Sequence, residues 1–231
     1  MTWSVLPYTP IVRLEENLWT VEGEVPSMPL RRRMTVFRLS DGRLIIHSAM
    51  ALDDDDMAAI EGLGRPAVLV VPSGYHRMDA PHYKARYPDI QVLCPKPSAK
   101  RVAQVVSVDG HYDALPEDDS LGYEVLDGLK SGESVFIARS EGRVTLVFND
   151  ALFNHPHAPG FKGLLIRLMG STGGPRVTRV MRMLDVSDRA ALAAHLLRLA
   201  ATPGLDRIVP GHGDVIDASP GEVLTAVAHA L

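Results

Sequence analysis

Apolar and polar positions along this chain change period several times, and the changes mark its elements. LWTVEG (18–23), MTVFRL (34–39) and RLIIH (43–47) carry the β-branched and aromatic content of strands. The last two are joined by Ser-Asp-Gly, which predicts a hairpin with positive φ at its glycine. Four acids, Asp53 to Asp56, precede MAAIEGL. Carboxylates favour the positive end of a helix dipole, so a helix is expected between Asp53 and Leu63, with the acids on its solvated start. Ala67 to Val71 is an unbroken apolar run, as expected of a strand buried on both faces and central in a sheet. MDAPHYKARY (78–87) reads as a short helix, IQVLC (90–94) as a strand, and PSAKRVAQVV (97–106) as a helix with Pro near its first position. Asp113 to Gly122 is acidic and aperiodic, hence a loop.

The second half repeats the theme. GYEVLDG (122–128), SVFIAR (134–139) and RVTLVFN (143–149) read as strands, the last two joined by Ser-Glu-Gly. Ser187 to Ala201 is the clearest helix, capped by Ser or Asp, with Leu192, Leu196 and Leu199 on one stripe. DRIVP (206–210) is a buried strand, and SPGEVLTAVAHAL (219–231) closes the chain as a helix. Strands first and helices later, twice over, predict two sheets packed face to face with helices outside: an α/β fold in four α/β/β/α layers. The expected organisation is a single domain over 1–231, in two pseudo-halves of about 1–120 and 121–231.

Composition narrows the chemistry. The chain has 231 residues, 46% of them hydrophobic, and a net charge of −4. Its basic residues are scattered apart from Arg31-Arg32-Arg33, which argues against nucleic acid as a partner. No apolar run approaches the roughly 18 residues that span a bilayer, and the first residues lack the pattern of a signal peptide, so neither a membrane nor secretion is expected and the expected location is cytoplasmic. The single Cys94 allows no internal disulfide and reads as a buried small apolar residue. Any metal would therefore be held by His and carboxylates. A homodimer is compatible with the sequence, and nothing in it demands one.

Three segments place such a residue just past a buried strand: His76 after AVLVV, Asp150 after RVTLVF and His212 after RIVPG. Zn²⁺ or iron accepts imidazole nitrogen and carboxylate oxygen, and a site with an open position activates water. His76 is followed closely by Asp79 and His82. His155 and His157, in FNHPHAPG, have an H-P-H spacing that can reach a shared centre from a loop, but histidines beside Pro in surface loops are equally ordinary, while His111, His195 and His229 show no partner pattern. MGSTGGP (169–175) reads as a flexible loop, since no phosphate-loop Lys follows it. The G-x-S-x-G elbow and the G-x-G-x-x-G fingerprint are both missing.

LIIHSAMAL, VLVVPSGYH, LDGLKSGESVF, TLVFNDALF and IVPGHGDVI, in that order, resemble the metallo-β-lactamase superfamily over roughly residues 12–217. VFNDALF is similar to the segment whose Asp bridges two metals, which would be Asp150. IVPGHG is similar to the segment that ends in a ligand His, which would be His212. The H-x-H-x-D-H hallmark falls on Gly74-Tyr75-His76-Arg77-Met78-Asp79 and keeps only His76. Leu129 stands where another ligand His is expected, and His47 where the early Asp is expected. Of seven ligands three remain, so a dinuclear site is not implied.

SGYH with ARYPD (85–89) resembles a divergent subgroup of unassigned function. Two functions follow. One is a sandwich that has lost hydrolysis, binds no metal, and keeps its cleft for a small molecule or partner. The other is a hydrolase of an ester, thioester or lactone, with one Zn or Fe ion on His76, Asp150 and His212. There Asp79 or His82 would serve as fourth ligand or proton shuttle.

Overall fold

The computed structural model describes residues 3–26 and 28–231. Its elements in order are β1 (Val12–Glu15), β2 (Leu18–Val25), β3 (Met28–Arg38), β4 (Arg43–His47), α1 (Asp54–Leu63), β5 (Arg65–Val70), α2 (Ala80–Arg86), β6 (Gln91–Leu93) and α3 (Ala99–Val102). There follow β7 (Leu121–Val125), β8 (Ser134–Ser140), β9 (Arg143–Val147), β10 (Phe153–Asn154), α4 (Gly160–Leu168), α5 (Arg179–Leu184), α6 (Arg189–Ala200), β11 (Leu205–Val209), β12 (His212–Gly213) and α7 (Pro220–His229). They form two compact units. One contains residues up to Gly23 and Arg33–Gly122, and the other Glu24–Arg32 and Tyr123–Leu231.

The first unit is built on a sheet of order β1-β2-β3-β4-β5-β6. β3 and β4 form the expected antiparallel hairpin, and Gly42 at its turn has φ +81. β4, β5 and β6 run parallel. The apolar run in β5 behaves as predicted: Leu69 packs in the core with Leu44, Ile46, Met57 and Tyr83, while Val68 and Val70 on the alternate positions are also buried. α1 starts where the acids place it, with the Asp53 carboxylate accepting from Asp56 N at 3.0 Å.

Asp118 ties the β3–β4 turn to the loop after α3. It accepts from Ser40 N and Oγ at 2.9 and 2.6 Å, and from Ser120 N and Oγ at 2.9 and 2.5 Å. Burial alone would raise its carboxyl, but the hydroxyls and amides of Ser120 and Ser40 outweigh this and hold it at about 2. A pKa below the unfolded value means that this stabilisation is present above about 3.9 and is lost as pH falls towards 2. Asp118→Asn is expected to cost about 1 kcal/mol at neutral pH, and the gap should close near pH 2; urea midpoints across pH test this.

The second unit has a four-stranded sheet of order β11-β9-β8-β7, and β10 pairs separately with β12. β8 and β9 are antiparallel about a turn with Glu141 and Gly142 at φ +49 and +79, while β11 lies parallel to β9. α6 and α7 supply Leu192, Leu196, Leu199, Leu224 and Val227 to a core shared with Val135, Leu146, Phe148 and Ile208. α6 is capped by Asp188, which accepts from Ala191 N.

Several boundaries differ from expectation. The helix predicted over 97–106 is shortened to α3, Ala99–Val102, preceded by one 3-10 turn; beyond it Gln104 N and Val105 N bond three residues back, to Arg101 O and Val102 O, so the chain tightens and leaves the helix. β7 ends at Val125, before Leu126 turns inward to donate to Glu133 O. α4 and α5 fall where no element is expected; the apolar residues of α4 stand at helical spacing, but they face solvent and not the core. The loop over 169–175 is pinned: Ser171 N donates to Ile166 O and Gly173 N to His155 O. Cys94 is buried as expected, which pushes its thiol up to about 11. Among the described residues no helix is long and apolar enough to cross a membrane.

Candidate functional site

In the second unit, Asp150 and His212 meet directly. β9 and β11 run side by side; β9 leads into the turn that carries Asp150, and β11 leads through Pro210 and Gly211 into β12, whose first residue is His212. His212 Nε2 lies 3.1 Å from Asp150 Oδ1, and His212 Nδ1 lies 2.6 Å from the carbonyl oxygen of Arg31. A carbonyl can only accept, so Nδ1 carries the proton and donates. In a neutral ring Nε2 then presents its lone pair to a carboxylate. Two acceptors at that distance are compatible only when a proton or a cation lies between them. Phe153 stacks on the imidazole at 4.3 Å between ring centres, which fixes its plane.

The glycines on either side let the backbone come this close. A Cβ on Gly211 would lie 2.6 Å from Asn149 O, and one on Gly213, at φ +92, would lie 2.2 Å from Asn154 O. The Gly-His-Gly triplet is therefore the packing requirement of a strand that must bring His212 beside β10.

Two further residues at the Asp150 turn, Asn149 within it and Glu133 packed beneath it from the segment before β8, have no distinctive pattern in the sequence. Glu133 is buried, and its Oε1 accepts from the amides on either side of Asp150, from Asn149 N at 3.0 Å and from Ala151 N at 2.8 Å. Burial foremost, and then the charge of Asp150, push its carboxyl well above the usual carboxylate range. Asn149 is fully buried, yet neither its carboxamide oxygen nor its nitrogen has a hydrogen-bond partner among the described residues. A buried carboxamide left unpaired is costly, and such groups are usually met by water or ligand. The only trace in the sequence is a Glu ahead of a strand and an Asn where the resembled segment has Gly.

His76 belongs to the first unit. It follows β5 in a turn closed by His76 N donating to Ser73 O, and its Nδ1 lies 2.9 Å from Ser48 Oγ. Ser48 has φ 58, a left-handed conformation uncommon for serine, held by its own amide donating to Val70 O. Asp79 and His82 form a pair of their own on the first turn of α2, with Oδ1 3.3 Å from Nδ1, and the His82 ring lies against Trp3.

The positions at which the resemblance leaves ligands missing are filled by structure. The stem of Arg101 occupies the space beside Gly74, where a Cβ would lie 2.6 Å from Arg101 Cδ, and its guanidinium covers the Tyr75 ring. Leu129 packs against the apolar core of the second unit and bridges to Val186. His47 is buried at the end of β4.

The other histidines have local roles. His155 is buried with Nδ1 2.7 Å from Pro156 O, and His157 Nδ1 meets Thr172 Oγ1. His195, for which the sequence suggests no partner, is in fact buried in α6 between Asp127 and Glu124, at 3.0 and 3.2 Å. Its partners come from a distant segment that only folding brings near.

Nearly the whole chain superposes on solved metallo-β-lactamases. With the enzyme from Pontibacter korlensis the TM-score is 0.64 at 10% identity, covering 96% of this chain and 99% of that one. The fold is that of the metallo-β-lactamases. One from Hirschia baltica gives 0.64 at 13% identity over 96% of this chain and 97% of that one. FIM-1 from Pseudomonas aeruginosa, in a mono-zinc form, gives 0.58 at 14% identity over 99% and 98%. No protein-family model and no curated protein matches the chain. Identities this low carry the metallo-β-lactamase fold and leave its chemistry to the residues present.

Proposed function

We propose that this chain is a one-metal variant on the metallo-β-lactamase fold, a hydrolase whose His76, Asp150 and His212 hold a single zinc or iron ion. The observation that carries this reading is the orientation of His212. Its Nδ1 is committed to the Arg31 carbonyl, and its Nε2 faces the Asp150 carboxylate. The donor set, two imidazoles and a carboxylate, is one that zinc and iron accept, and three protein ligands leave a position open. When bound, such an ion polarises a water or a carbonyl oxygen.

This chain's residues do the rest. Arg31 and Phe153 hold the His212 ring, Ser48 holds that of His76, and Glu133 shapes the turn that presents Asp150. The Asp79–His82 pair is assigned to proton transfer, because a carboxylate against Nδ1 holds an imidazole in one orientation with its other nitrogen left to exchange a proton. Substrates would be esters, thioesters or lactones, whose leaving groups need less assistance from an acid than the nitrogen of an amide does.

The alternative, a cleft that binds a small molecule without hydrolysis, is favoured by Leu129 and Arg101, which close the positions of two further ligands.

Elemental analysis of protein purified without added metal tests the reading. About one metal per chain is expected, falling below about 0.1 in His76→Ala and in His212→Ala, with hydrolysis of a model thioester or lactone falling in parallel. Metal below about 0.1 in the parent protein would favour the alternative.

A further inference from the structure

α4 carries an apolar stripe that faces solvent. Phe161, Leu164, Leu165 and Leu168 follow the i, i+3, i+4, i+7 spacing of one helix face and are 82%, 51%, 51% and 62% exposed. The inner side of the helix is anchored by Ile166, which packs with Phe153 and Leu30, and by Gly163, where a Cβ would strike the Ala158 carbonyl. The outward face is therefore fixed in place. α5 extends the patch with Met183 and Leu184, 78% and 68% exposed. Arg179 at its start donates to Leu168 O at the end of α4, so the two helices present one surface.

The charge of this segment sets it apart. From Ala151 to Leu184 there are five basic residues, Lys162, Arg167, Arg176, Arg179 and Arg182, and no Asp or Glu, in a chain whose net charge is −4. We infer that the α4–α5 face docks on an anionic lipid surface, with Phe161, the leucines and Met183 entering the headgroup boundary and the basic residues facing lipid phosphates. An apolar stripe flanked by Lys and Arg is what an interfacial helix requires, since apolar burial and attraction to anionic headgroups act together. A second copy of this chain is a poorer occupant, because a two-fold contact would set the same basic residues against each other. No membrane-spanning segment is needed for such docking. The Phe153 ring that supports α4 from within also stacks on His212, so docking would hold the Asp150–His212 turn beside the lipid surface, whether or not a metal is bound.

Co-sedimentation of the full chain with phosphatidylcholine vesicles, with and without about one-third phosphatidylserine, tests this. Binding is expected to the anionic vesicles only and should weaken as salt rises. The double variant Phe161→Asp/Met183→Asp should lower the partition coefficient at least about tenfold. Lys162→Glu/Arg167→Glu, which leaves the apolar face intact, should do the same while keeping the parent's circular dichroism spectrum. Failure of the parent to bind anionic vesicles, binding by either variant as strong as the parent's, or a lipid-free dimer that Phe161→Asp/Met183→Asp dissolves would each overturn the inference.

Discussion

Gly213→Ala is expected to destabilise the protein by about 3 kcal/mol or more, and to remove the Asp150–His212 contact with it. Two costs add at this position. A non-glycine residue at φ +92 is strained, and the new Cβ would lie 2.2 Å from the backbone oxygen of Asn154, which cannot swing away as a side-chain tip can. Relief would require β10 and β12 to separate, and these strands hold Phe153 against His212. Gly142→Ala provides the internal control. Its φ is +79, but nothing lies within 4 Å of its Cβ position, so only the conformational strain applies, about 1 kcal/mol. Urea denaturation of both variants distinguishes the terms; equal midpoints would show that the close approach at Gly213 carries no energy.

Glu133→Ala is the second large effect, an expected loss of about 2–6 kcal/mol. The substitution strands two buried donors, Asn149 N and Ala151 N, each of which costs roughly 1–3 kcal/mol without a partner. Glu133→Gln keeps a carbonyl oxygen for both amides and should stay within about 1 kcal/mol of the parent. The pH dependence has a definite sign. Burial holds the folded pKa of Glu133 above its unfolded value, so the contribution of its neutral form is complete below the unfolded pKa and is lost as pH rises through the folded one. Gln cannot ionise, so its disadvantage against Glu should shrink or reverse as pH rises. Stability curves for the parent and both variants at several pH values test this, and a Gln variant as unstable as Ala would show that Glu133 does not act by accepting these two bonds.

The elements that came through most faithfully from sequence are those whose signal is local. The β3–β4 hairpin, the acid-marked start of α1, the apolar run of β5 and the stripe of α6 each follow from neighbouring residues and their period. The candidate site was legible only in part. His76, Asp150 and His212 could be picked out because each ends an apolar strand, but Glu133 and Asn149 look unremarkable in sequence. Their importance depends on burial beside Asp150 and on which backbone amides come within reach. His195 is the same case in reverse: a histidine without a local pattern that folding places between two acids.

Sequence by itself determined the alternation of strands and helices, the fold class and the three strand-ending candidates, because hydrophobic period and turn chemistry act over a few residues. Tertiary structure decided which nitrogen of His212 faces Asp150, why glycine flanks it, and why the positions of Gly74 and Leu129 are closed to further ligands. Those outcomes depend on atoms from distant segments, Arg31, Asn149, Asn154, Arg101 and Val186, whose approach no local pattern encodes.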